Sequence, residues 1–371
     1  MKYRTLGKTG KEISLLSFGC MRFVDDEQEA AALIGAAIDG GVNYFETSLT
    51  YCHSTSERKL GLGVQGRREA VYLSTKSGVG PETDGDEIRR NVEGSLRTLQ
   101  TDYLDFYQFW GLSWERWDQA RKKGGAIEAI RKLQDEGVVH HLGFTSHDTG
   151  ENVIKLMATG EFESVTIHYH MLSTEKEDAI AYAQAHRIGI VVMCPVAGGL
   201  LAAPSGTIRD LFPGADGSSA SAELALRFVW SCRGVTTAAS GMENLSDLDE
   251  NLRAVERFEP LTDADRARVL EVLEEFSALG KKFCTGCRYC MPCPNKVSIP
   301  GIFKLVNCAR VYGLTESANG RYREMSEESR ADACTECGEC EPKCPHDIPI
   351  IAQLKEAAEL FGEREPDPTR E

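Results

Sequence analysis

The sequence predicts an α/β protein: a (β/α)8 barrel, the TIM-barrel fold, followed by a small α-helical domain rich in cysteine. First, short apolar runs with β-branched and aromatic residues alternate with helical patterns over the first two-thirds of the chain. Second, eight such strands in about 250 residues is the content of a barrel. Third, eight of the 13 cysteines lie in two short runs near the C-terminus. A doubly wound sheet is the alternative for the first part.

The predicted barrel strands are short apolar runs, which in chain order are 15–20, 42–46, 71–76, 103–109, 141–145, 165–169, 190–194 and 235–239. Helical patterns separate them, at 27–39, 86–99, 117–136, 149–158, 175–186, 220–230 and 244–255. Strands that alternate with helices indicate parallel βαβ units. In a barrel built this way the functional side chains lie at the carboxyl ends of the strands.

Three further elements complete the prediction. Residues 3–14 contain Leu6-Gly7-Lys8-Thr9-Gly10, typical of a hairpin turn, and are expected to cover the floor of the barrel. A charged helix is predicted at 261–279, and an amphipathic helix that Pro300 starts is predicted at 299–312. The resulting domains are a barrel at 1–259, a helical linker at 260–280, a cluster-binding domain at 281–361 and a disordered tail at 362–371.

Charge and hydropathy restrict the partners and the location. The net charge of −15 argues against a nucleic-acid partner, which would need a basic surface. No run approaches the length of a membrane span. The first residues, Met1 to Gly7, contain no apolar signal core, so a cytoplasmic protein is expected. Its reduced thiols are typical of an organism that tolerates little oxygen.

Two cysteine runs indicate a metal centre. They are Cys284-x2-Cys287-x2-Cys290-x2-Cys293-Pro294 and Cys334-x2-Cys337-x2-Cys340-x3-Cys344-Pro345. Three thiolates at this spacing fold one loop around a face of an iron–sulfur cube. Zinc is the alternative, although a structural zinc ion needs only four ligands, usually in two separated pairs. A disulfide framework would need an oxidising compartment.

The second run resembles the pattern of bacterial two-cluster ferredoxins. In that pattern the fourth cysteine ligates the other cluster. The resemblance therefore implies two [4Fe-4S] clusters, with Cys344 completing the first run and Cys293 completing the second. The first run departs from the pattern at Cys293, which follows after two residues rather than three.

Several motifs of the barrel resemble the aldo-keto reductase family, in the subgroup with a C-terminal ferredoxin-type domain. They are Tyr3-Arg4-Thr5-Leu6-Gly7-Lys8-Thr9-Gly10, Leu16-Ser17-Phe18-Gly19-Cys20-Met21, Gly41-Val42-Asn43-Tyr44-Phe45, Ser56-Glu57-x2-Leu60-Gly61, Ser74-Thr75-Lys76, Asp102-Tyr103-x-Asp105, Gly143-Phe144-Thr145, Ser240-Gly241-Met242 and Glu250-Asn251-Leu252. The resemblance covers essentially the whole predicted barrel. It implies the same fold that the strand count predicts.

The family resemblance also implies a catalytic set. The family reduces carbonyls with a nicotinamide hydride and an Asp-Tyr-Lys-His tetrad. The tyrosine falls on Tyr51, the proton donor, and the lysine that lowers its pKa falls on Lys76. The acid position holds Glu46, and the histidine position holds Trp110. An indole has no titratable nitrogen, but it can stack on a planar substrate.

The resemblance implies a weakened nicotinamide site. The family's glutamine falls on Thr166 and its stacking aromatic on Met193, and the other implied cofactor contacts are Thr145, Ser146, Ser240, Gly241, Glu250 and Asn251. The basic residues that clamp a 2′-phosphate would lie at Gly241 and Asp247, neither of which is basic. If a nicotinamide binds, NAD is therefore expected over NADP.

Three functions remain open on the sequence. The first is hydride transfer between NAD(P)H and a small carbonyl or alcohol, with the clusters linked to a ferredoxin or flavodoxin-type carrier. The second is a reductase of a planar or aromatic substrate that the clusters feed without nicotinamide. The third is a non-catalytic redox sensor or interaction protein. Four histidines are candidates for the missing one, but each is more simply a satisfied polar residue: His53, His147, His168 and His170. The sequence leaves the oligomeric state open.

Overall fold

A computed structural model describes residues 1–171, 173–202, 209–210, 212, 215, 221–278, 284, 286–312 and 315–362. They form two compact units, one of residues 1–195 and 222–262 and the other of 196–221 and 263–371. The second unit takes in 196–221, which the sequence assigns to the barrel, and the sequence-derived boundaries at 259 and 280 stay predictions.

The first unit is a closed barrel of eight parallel strands. All eight predicted strands are present, and the doubly wound alternative is wrong because the last strand closes on the first. The barrel strands are β3 (Leu16–Gly19), β4 (Tyr44–Glu46), β5 (Tyr72–Gly78), β6 (Leu104–Trp110), β7 (Val139–Ser146), β8 (Ser164–His168), β9 (Gly189–Met193) and β10 (Thr237–Ser240).

The predicted hairpin covers the floor of the barrel. Strands β1 (Tyr3–Thr5) and β2 (Glu12–Ser14) pair antiparallel. Leu6 and Ile13 from this hairpin are fully buried and pack with Tyr44, Phe106 and other side chains of the barrel interior. The floor is therefore sealed by apolar contacts, which leaves the carboxyl ends of the strands for the chemistry.

Helices follow the strands, as predicted, with two differences. The predicted helix at 117–136 is broken, since Gly124 has a φ of +71° and two helices flank it. A helix at Ser56–Gly63 was not predicted, because its buried face includes Glu57 and Lys59, which interrupt the apolar pattern. The helices of this unit are Glu27–Asp39, Tyr51–Ser54, Ser56–Gly63, Gly85–Leu99, Trp117–Ala120, Ala126–Asp135, Gly150–Ala158, Glu177–Ala185, Ser221–Ser231 and Leu245–Glu256.

The second unit is helical in its described part. Its core gathers apolar side chains such as Ile302, Phe303 and Leu354 around the cysteine runs. The predicted helix at 299–312 is present with the same bounds. The helices and 3-10 turns of this unit are Ala197–Ala202, Asp263–Ala278, Ile299–Tyr312, Thr315–Glu324, Glu327–Ser329, Ala331–Ala333 and Ile350–Phe361.

Two further predictions concern the C-terminal tail and membrane-spanning segments. The predicted disordered tail lies, apart from Gly362, outside the described residues. Among the helices that are described, none is both long enough and apolar enough to cross a membrane.

Candidate functional site

Glu46 and Lys76 form a buried ion pair at the carboxyl ends of β4 and β5. Neighbouring parallel strands bring the two side chains together, and Lys76 Nζ contacts Glu46 Oε1. Lys76 Nζ also donates to the Thr47 carbonyl oxygen at 2.9 Å, a contact that the sequence does not indicate. The longer acid therefore still reaches the lysine, as its position in the motif predicts.

Burial and the ion pair act on Lys76 in opposite directions. Its side chain is 2% exposed, and this burial lowers the pKa of Lys76 well below its usual range. The Glu46 carboxylate favours the ammonium form because an adjacent negative charge stabilises it. The charge of Lys76 therefore depends on Glu46.

Tyr51 lies directly against this pair. Lys76 Nζ is 4.4 Å from the centroid of the Tyr51 ring. The three residues after it, Cys52, His53 and Ser54, all have positive φ, which L residues adopt rarely. This left-handed stretch turns the chain immediately after Tyr51, and Tyr51 remains half-buried rather than enclosed.

Trp110 ends β6 on the other side of Tyr51. The two rings meet edge to face, with centroids 6.0 Å apart and an angle of 81° between the planes. The indole is partly exposed. The mouth of the barrel thus has an aromatic wall at the position where the family resemblance implies a histidine.

The predicted nicotinamide contacts on β7 are occupied by protein partners. Thr145 Oγ1 accepts from the Gly111 N–H at 2.8 Å, and the Ser146 hydroxyl donates to the Leu112 carbonyl oxygen at 2.8 Å. Both residues are buried. Their hydroxyls hold the turn that follows Trp110.

Thr166 on β8 is bonded inside the barrel. Its hydroxyl donates to Gln108 Oε1 at 2.6 Å, and the Gln108 amide donates to Ser74 Oγ at 2.8 Å. No motif in the sequence assigns a role to Gln108. Its place two residues before Trp110, on the same face of β6, was the signal that could have found it. Met193 ends β9 beside His168 and is partly buried.

The predicted adenine end is formed by β10 and the helix Leu245–Glu256. Asn251 Nδ2 donates to Ser240 Oγ at 3.0 Å, so these two predicted contacts lie together. Glu250 is partly buried, and burial together with the charges of Asp247 and Glu223 raises the pKa of its carboxyl. The Asp247 carboxylate accepts from the Glu243 N–H at 3.0 Å.

Arg22 is a basic residue at this end that the sequence analysis did not identify. A Cβ added at Gly241 would lie 3.6 Å from Arg22 Cδ, so the arginine adjoins the predicted phosphate position. Its guanidinium is 3.9 Å from the Glu243 carboxylate. Two other arginines in the helix are directed to acids, Arg253 to Asp249 and Arg257 to Glu223.

His168 takes part in a second buried polar group. It ends β8 on the same strand face as Thr166, and Lys176 Nζ lies 3.3 Å from its Nδ1 and 3.2 Å from its Nε2. Burial lowers the pKa of Lys176 to about 8 and also lowers that of His168. The half-buried ring of His147 stacks on His168 at 5.8 Å.

The remaining histidine candidates are His170 and His53. His170 is buried, and its backbone pairs with Ser173. His53 is exposed in the left-handed stretch after Tyr51.

In the second unit, four cysteines surround one cavity. Cys284, Cys287, Cys290 and Cys344 line it together, which is the grouping that the ferredoxin pattern implies. Burial raises the pKa of Cys284 to about 12 and that of Cys290 to about 11, and the neighbouring thiols add to both shifts. Four sulfur donors around one cavity suit a cube of iron and sulfide.

Within the described ranges, no three or more His, Cys, Asp or Glu side chains form a group that could hold a single metal ion.

The two cysteine runs share one backbone pattern. Positive φ occurs at Gly286 and Arg288 in the first run and at Glu336 and Gly338 in the second, two and four residues after the first cysteine. The fourth cysteines match too, since Lys296 and Asp347 each follow by three residues and each has positive φ. Cys293 is therefore the structural counterpart of Cys344, despite the different spacing before it.

The second run also adjoins Cys293 in space. Asn295 Nδ2, two residues after Cys293, donates to Thr335 Oγ1 at 2.7 Å. Thr335 lies between Cys334 and Cys337. This contact joins the segment after Cys293 to the second cysteine run, as expected if Cys293 ligates the cluster of Cys334, Cys337 and Cys340.

Comparison with known proteins agrees with this geometry. Residues 15–274 match the model described as the aldo/keto reductase family, which is more than half of the 371 residues. The chain belongs to the aldo/keto reductase family. A second model, the 4Fe-4S dicluster domain, matches residues 283–348. The protein is thus an aldo/keto reductase-type oxidoreductase with a C-terminal iron–sulfur domain, as the resemblance implies.

Similar proteins support the family and its fold. The uncharacterized oxidoreductase YqkF of Bacillus subtilis is 32% identical over 212 residues, 54% of this chain and 67% of the relative. L-galactose dehydrogenase of Arabidopsis thaliana is 26% identical over 289 residues, 70% of this chain and 90% of the relative.

Among solved structures, aldo-keto reductase AKR11C1 from Bacillus halodurans in its holo form is 29% identical with a TM-score of 0.65, covering 73% of this chain and 96% of that one. An aldo/keto reductase from Klebsiella pneumoniae in complex with NADP and acetate is 24% identical with a TM-score of 0.62, covering 73% and 95%, and shows the fold alone.

Proposed function

We propose that this aldo/keto reductase moves hydride between a nicotinamide and a small carbonyl or alcohol, and that its clusters exchange electrons with a one-electron carrier. The observation that carries the proposal is the group of Glu46, Lys76 and Tyr51. A phenol that lies against a buried, ion-paired lysine is suited to give a proton to a developing alkoxide and to remain as phenolate.

A nicotinamide, held by the proposed contacts at Ser240 and Asn251, would supply the hydride to the carbonyl carbon. Tyr51 gives its phenolic proton to the carbonyl oxygen, so that the carbonyl becomes an alcohol and one proton is taken from solvent in each turnover. Lys76 stabilises the phenolate through its charge, and Glu46 keeps that charge on the lysine. Trp110 forms a wall of the pocket and transfers no proton.

NAD is the proposed nicotinamide. A 2′-phosphate would approach Asp247, Glu243 and Glu250, and each negative charge raises the cost of burying it. Arg22 is the basic group that offsets this cost in part, but it already adjoins Glu243. The predicted contacts at Ser240 and Asn251 suit either dinucleotide.

The second candidate is a reductase that the clusters feed, without nicotinamide, for a planar or aromatic substrate. It is favoured by the edge-to-face pair of Tyr51 and Trp110 and by the protein partners of the Thr145, Ser146 and Thr166 hydroxyls. Two one-electron deliveries and a proton from solvent would then replace the hydride, and Tyr51 would still supply the second proton. A non-catalytic sensor, the third possibility, has no specific support in the barrel.

The proposed clusters are two [4Fe-4S] centres, with ligands in two sets. Cys284, Cys287, Cys290 and Cys344 would hold one, and Cys334, Cys337, Cys340 and Cys293 the other. The proposal expects about eight iron ions and eight acid-labile sulfides per chain after anaerobic purification. Iron near four per chain, or more zinc than iron, would contradict it. Such clusters need reduced thiols, which is the reason to propose the cytoplasm.

One experiment separates the candidate functions. Anaerobically purified protein is tested for NAD(H) binding by fluorescence and for turnover of aromatic aldehydes and quinones with NADH or with reduced methyl viologen. Binding and NADH-dependent turnover are expected. Turnover with the viologen alone, without NADH binding, would favour the second candidate, and neither activity would favour the sensor.

A further inference from the structure

The two cysteine runs differ in exposure although their backbones match. In the second run Thr335, Glu336, Cys337 and Glu339 are exposed, and Cys340 is the buried cysteine. In the described part of the first run, Arg288 and Pro292 are exposed, but no cysteine is: Cys287, the counterpart of Cys337, is only partly exposed. Since positive φ falls at the same places in both loops, the difference comes from what surrounds each loop.

Apolar side chains enclose the first run. Besides the cysteines, its cavity is lined by Ile299 and Phe303 from one helix, by Ile348 and Ile350 around the start of another, and by Arg288 and His346. Ile299, Phe303, Ile348 and Ile350 are each at most 3% exposed. All four belong to the same compact unit as the cysteines, so the unit itself provides the shield.

We propose that the cluster held by the second run is the electron port of this protein, the one that meets dissolved one-electron carriers, and that the cluster of the first run is shielded from solvent. The inference rests on the proposed assignment of the eight cysteines as ligands. Electron transfer weakens steeply with distance. A carrier that touches the loop around Cys337 therefore comes within a ligand's length of one cluster and remains farther from the other.

The surface of this loop suits a protein carrier rather than a buried substrate. Its side chains form local ion pairs, between Lys355 and Glu336 at 2.8 Å and between Lys343 and Glu339 at 3.7 Å. Cys337 is exposed, as are Thr335 and Glu336 just before it in the chain, so another surface can approach this loop. The partner that docks at the loop of the second run is therefore proposed to be a soluble one-electron carrier protein.

The first test assigns the two reduced-cluster EPR signals and measures their access to water. Cys337→Ser and Cys287→Ser are matched variants, because each replaces the second cysteine of its run. Chelated nickel dissolved in the sample should speed relaxation of the signal that Cys337→Ser alters, and should leave the signal that Cys287→Ser alters unchanged. Equal acceleration of both signals, or the reverse pattern, would overturn the proposal.

A Cys→Ser change at a ligand can remove the whole cluster, so two further variants keep all eight cysteines. Glu339→Gln and Arg288→Gln change one charge beside the second and the first run, respectively. Each should shift the reduction potential of the neighbouring cluster, and so identify its signal in otherwise intact protein. The nickel measurement then proceeds as before, with the same two outcomes.

The second test concerns the carrier. Glu339→Trp covers the loop of the second run, and Arg288→Trp makes the matched change in the first. Glu339→Trp should slow reduction by a reduced bacterial ferredoxin several-fold in stopped-flow absorbance, while Arg288→Trp should not. Slowing by Arg288→Trp alone, or by neither variant, would contradict an electron port at the second run.

The iron analysis separates this inference from the proposed function. A protein with about eight irons and two signals of equal solvent access would overturn the inference and leave the clusters in place. A protein with about four irons, or with zinc, would contradict the assignment of the ligands itself.

Discussion

The two sides of the barrel mouth differ in how their polar groups are used. On the side of β4 and β5, Glu46 and Lys76 pair with each other and lie against Tyr51. On the side of β7 and β8, the hydroxyls of Ser146 and Thr166 are bonded to the protein itself. Under the proposed function, the first side supplies the proton and the second side binds the nicotinamide, so the two sides can be tested separately.

The largest expected effect comes from removing the proton donor. Tyr51→Phe should lower carbonyl reduction by about 10²–10⁴-fold, the usual contribution of general acid catalysis. Steady-state kinetics with an aromatic aldehyde measures it, and the iron content should not change. Tyr182→Phe, on the helix Glu177–Ala185, is the control. A rate like that of the wild type in Tyr51→Phe would contradict the proposed role of this side of the mouth.

The next effect tests whether Glu46 maintains the charge of Lys76. Glu46→Gln leaves a buried amine without its counter-ion, and burial then favours the neutral form. Activity should fall by roughly 10–100-fold, because each unit by which the pKa of Lys76 falls lowers its charged fraction about tenfold, and a fall of about one to two units is expected. Glu46→Asp should retain more activity than Glu46→Gln.

Glu57→Gln provides a matched control for that series. Glu57 is also a buried acid, but it accepts from the Thr75 hydroxyl at 2.7 Å rather than pairing with Lys76. Equal losses in Glu46→Gln and Glu57→Gln would mean that burial of a carboxyl group, and not the ion pair, is what matters.

Cofactor choice tests the other side of the comparison. NAD(H) should bind at least as tightly as NADP(H), because Asp247 and Glu243 repel a 2′-phosphate. Asp247→Asn should improve NADP(H) binding several-fold and leave NAD(H) unchanged. Fluorescence titrations at low and high salt measure both.

The Arg22→Ala variant tests whether the positive charge of Arg22 or the negative charges of Asp247 and Glu243 determine the choice between NAD(H) and NADP(H). If NAD is preferred, this variant should alter NADP(H) affinity little, and Arg253→Ala should have no effect. An NADP(H) preference that salt weakens and Arg22→Ala abolishes would instead show that Arg22 clamps the phosphate.

The smallest effect concerns stability rather than catalysis. Lys176 is buried against His168, near Glu175 and Asp148, and burial lowers its pKa to about 8. The unfolded chain has a lysine pKa near 10.4 and binds more protons between about pH 8 and pH 10.4. The wild type should therefore gain up to about 3 kcal/mol of stability across that range relative to Lys176→Met.

Urea midpoints of both proteins at pH 7 and pH 10, measured by barrel fluorescence, check this prediction. Lys155→Met, which removes an exposed lysine paired with Glu151, should show no such change with pH. A constant difference between wild type and Lys176→Met at the two pH values would mean that the Lys176 pKa is not lowered.

Much of the fold and part of the site followed from local patterns. The eight barrel strands and the helix Ile299–Tyr312 were predicted because apolar periodicity depends on nearby residues. The approach of Glu46 to Lys76 followed from two motifs at neighbouring strand ends. The helix Ser56–Gly63 was missed because the partners of its buried charged residues come from distant segments, such as the Val24 carbonyl that accepts from Lys59 at 2.6 Å.

By itself the sequence determined the barrel strands and the cysteine runs, because each depends on spacing along the chain. The proton donor Tyr51 came from the family resemblance and stays a proposal. Only the tertiary structure decided which polar groups remain for chemistry. Gln108 engages Thr166, Arg22 adjoins Gly241, and Cys344 faces the first run through contacts between residues far apart in sequence. Hydrogen bonds and solvent exposure depend on those distant neighbours, which no local pattern encodes.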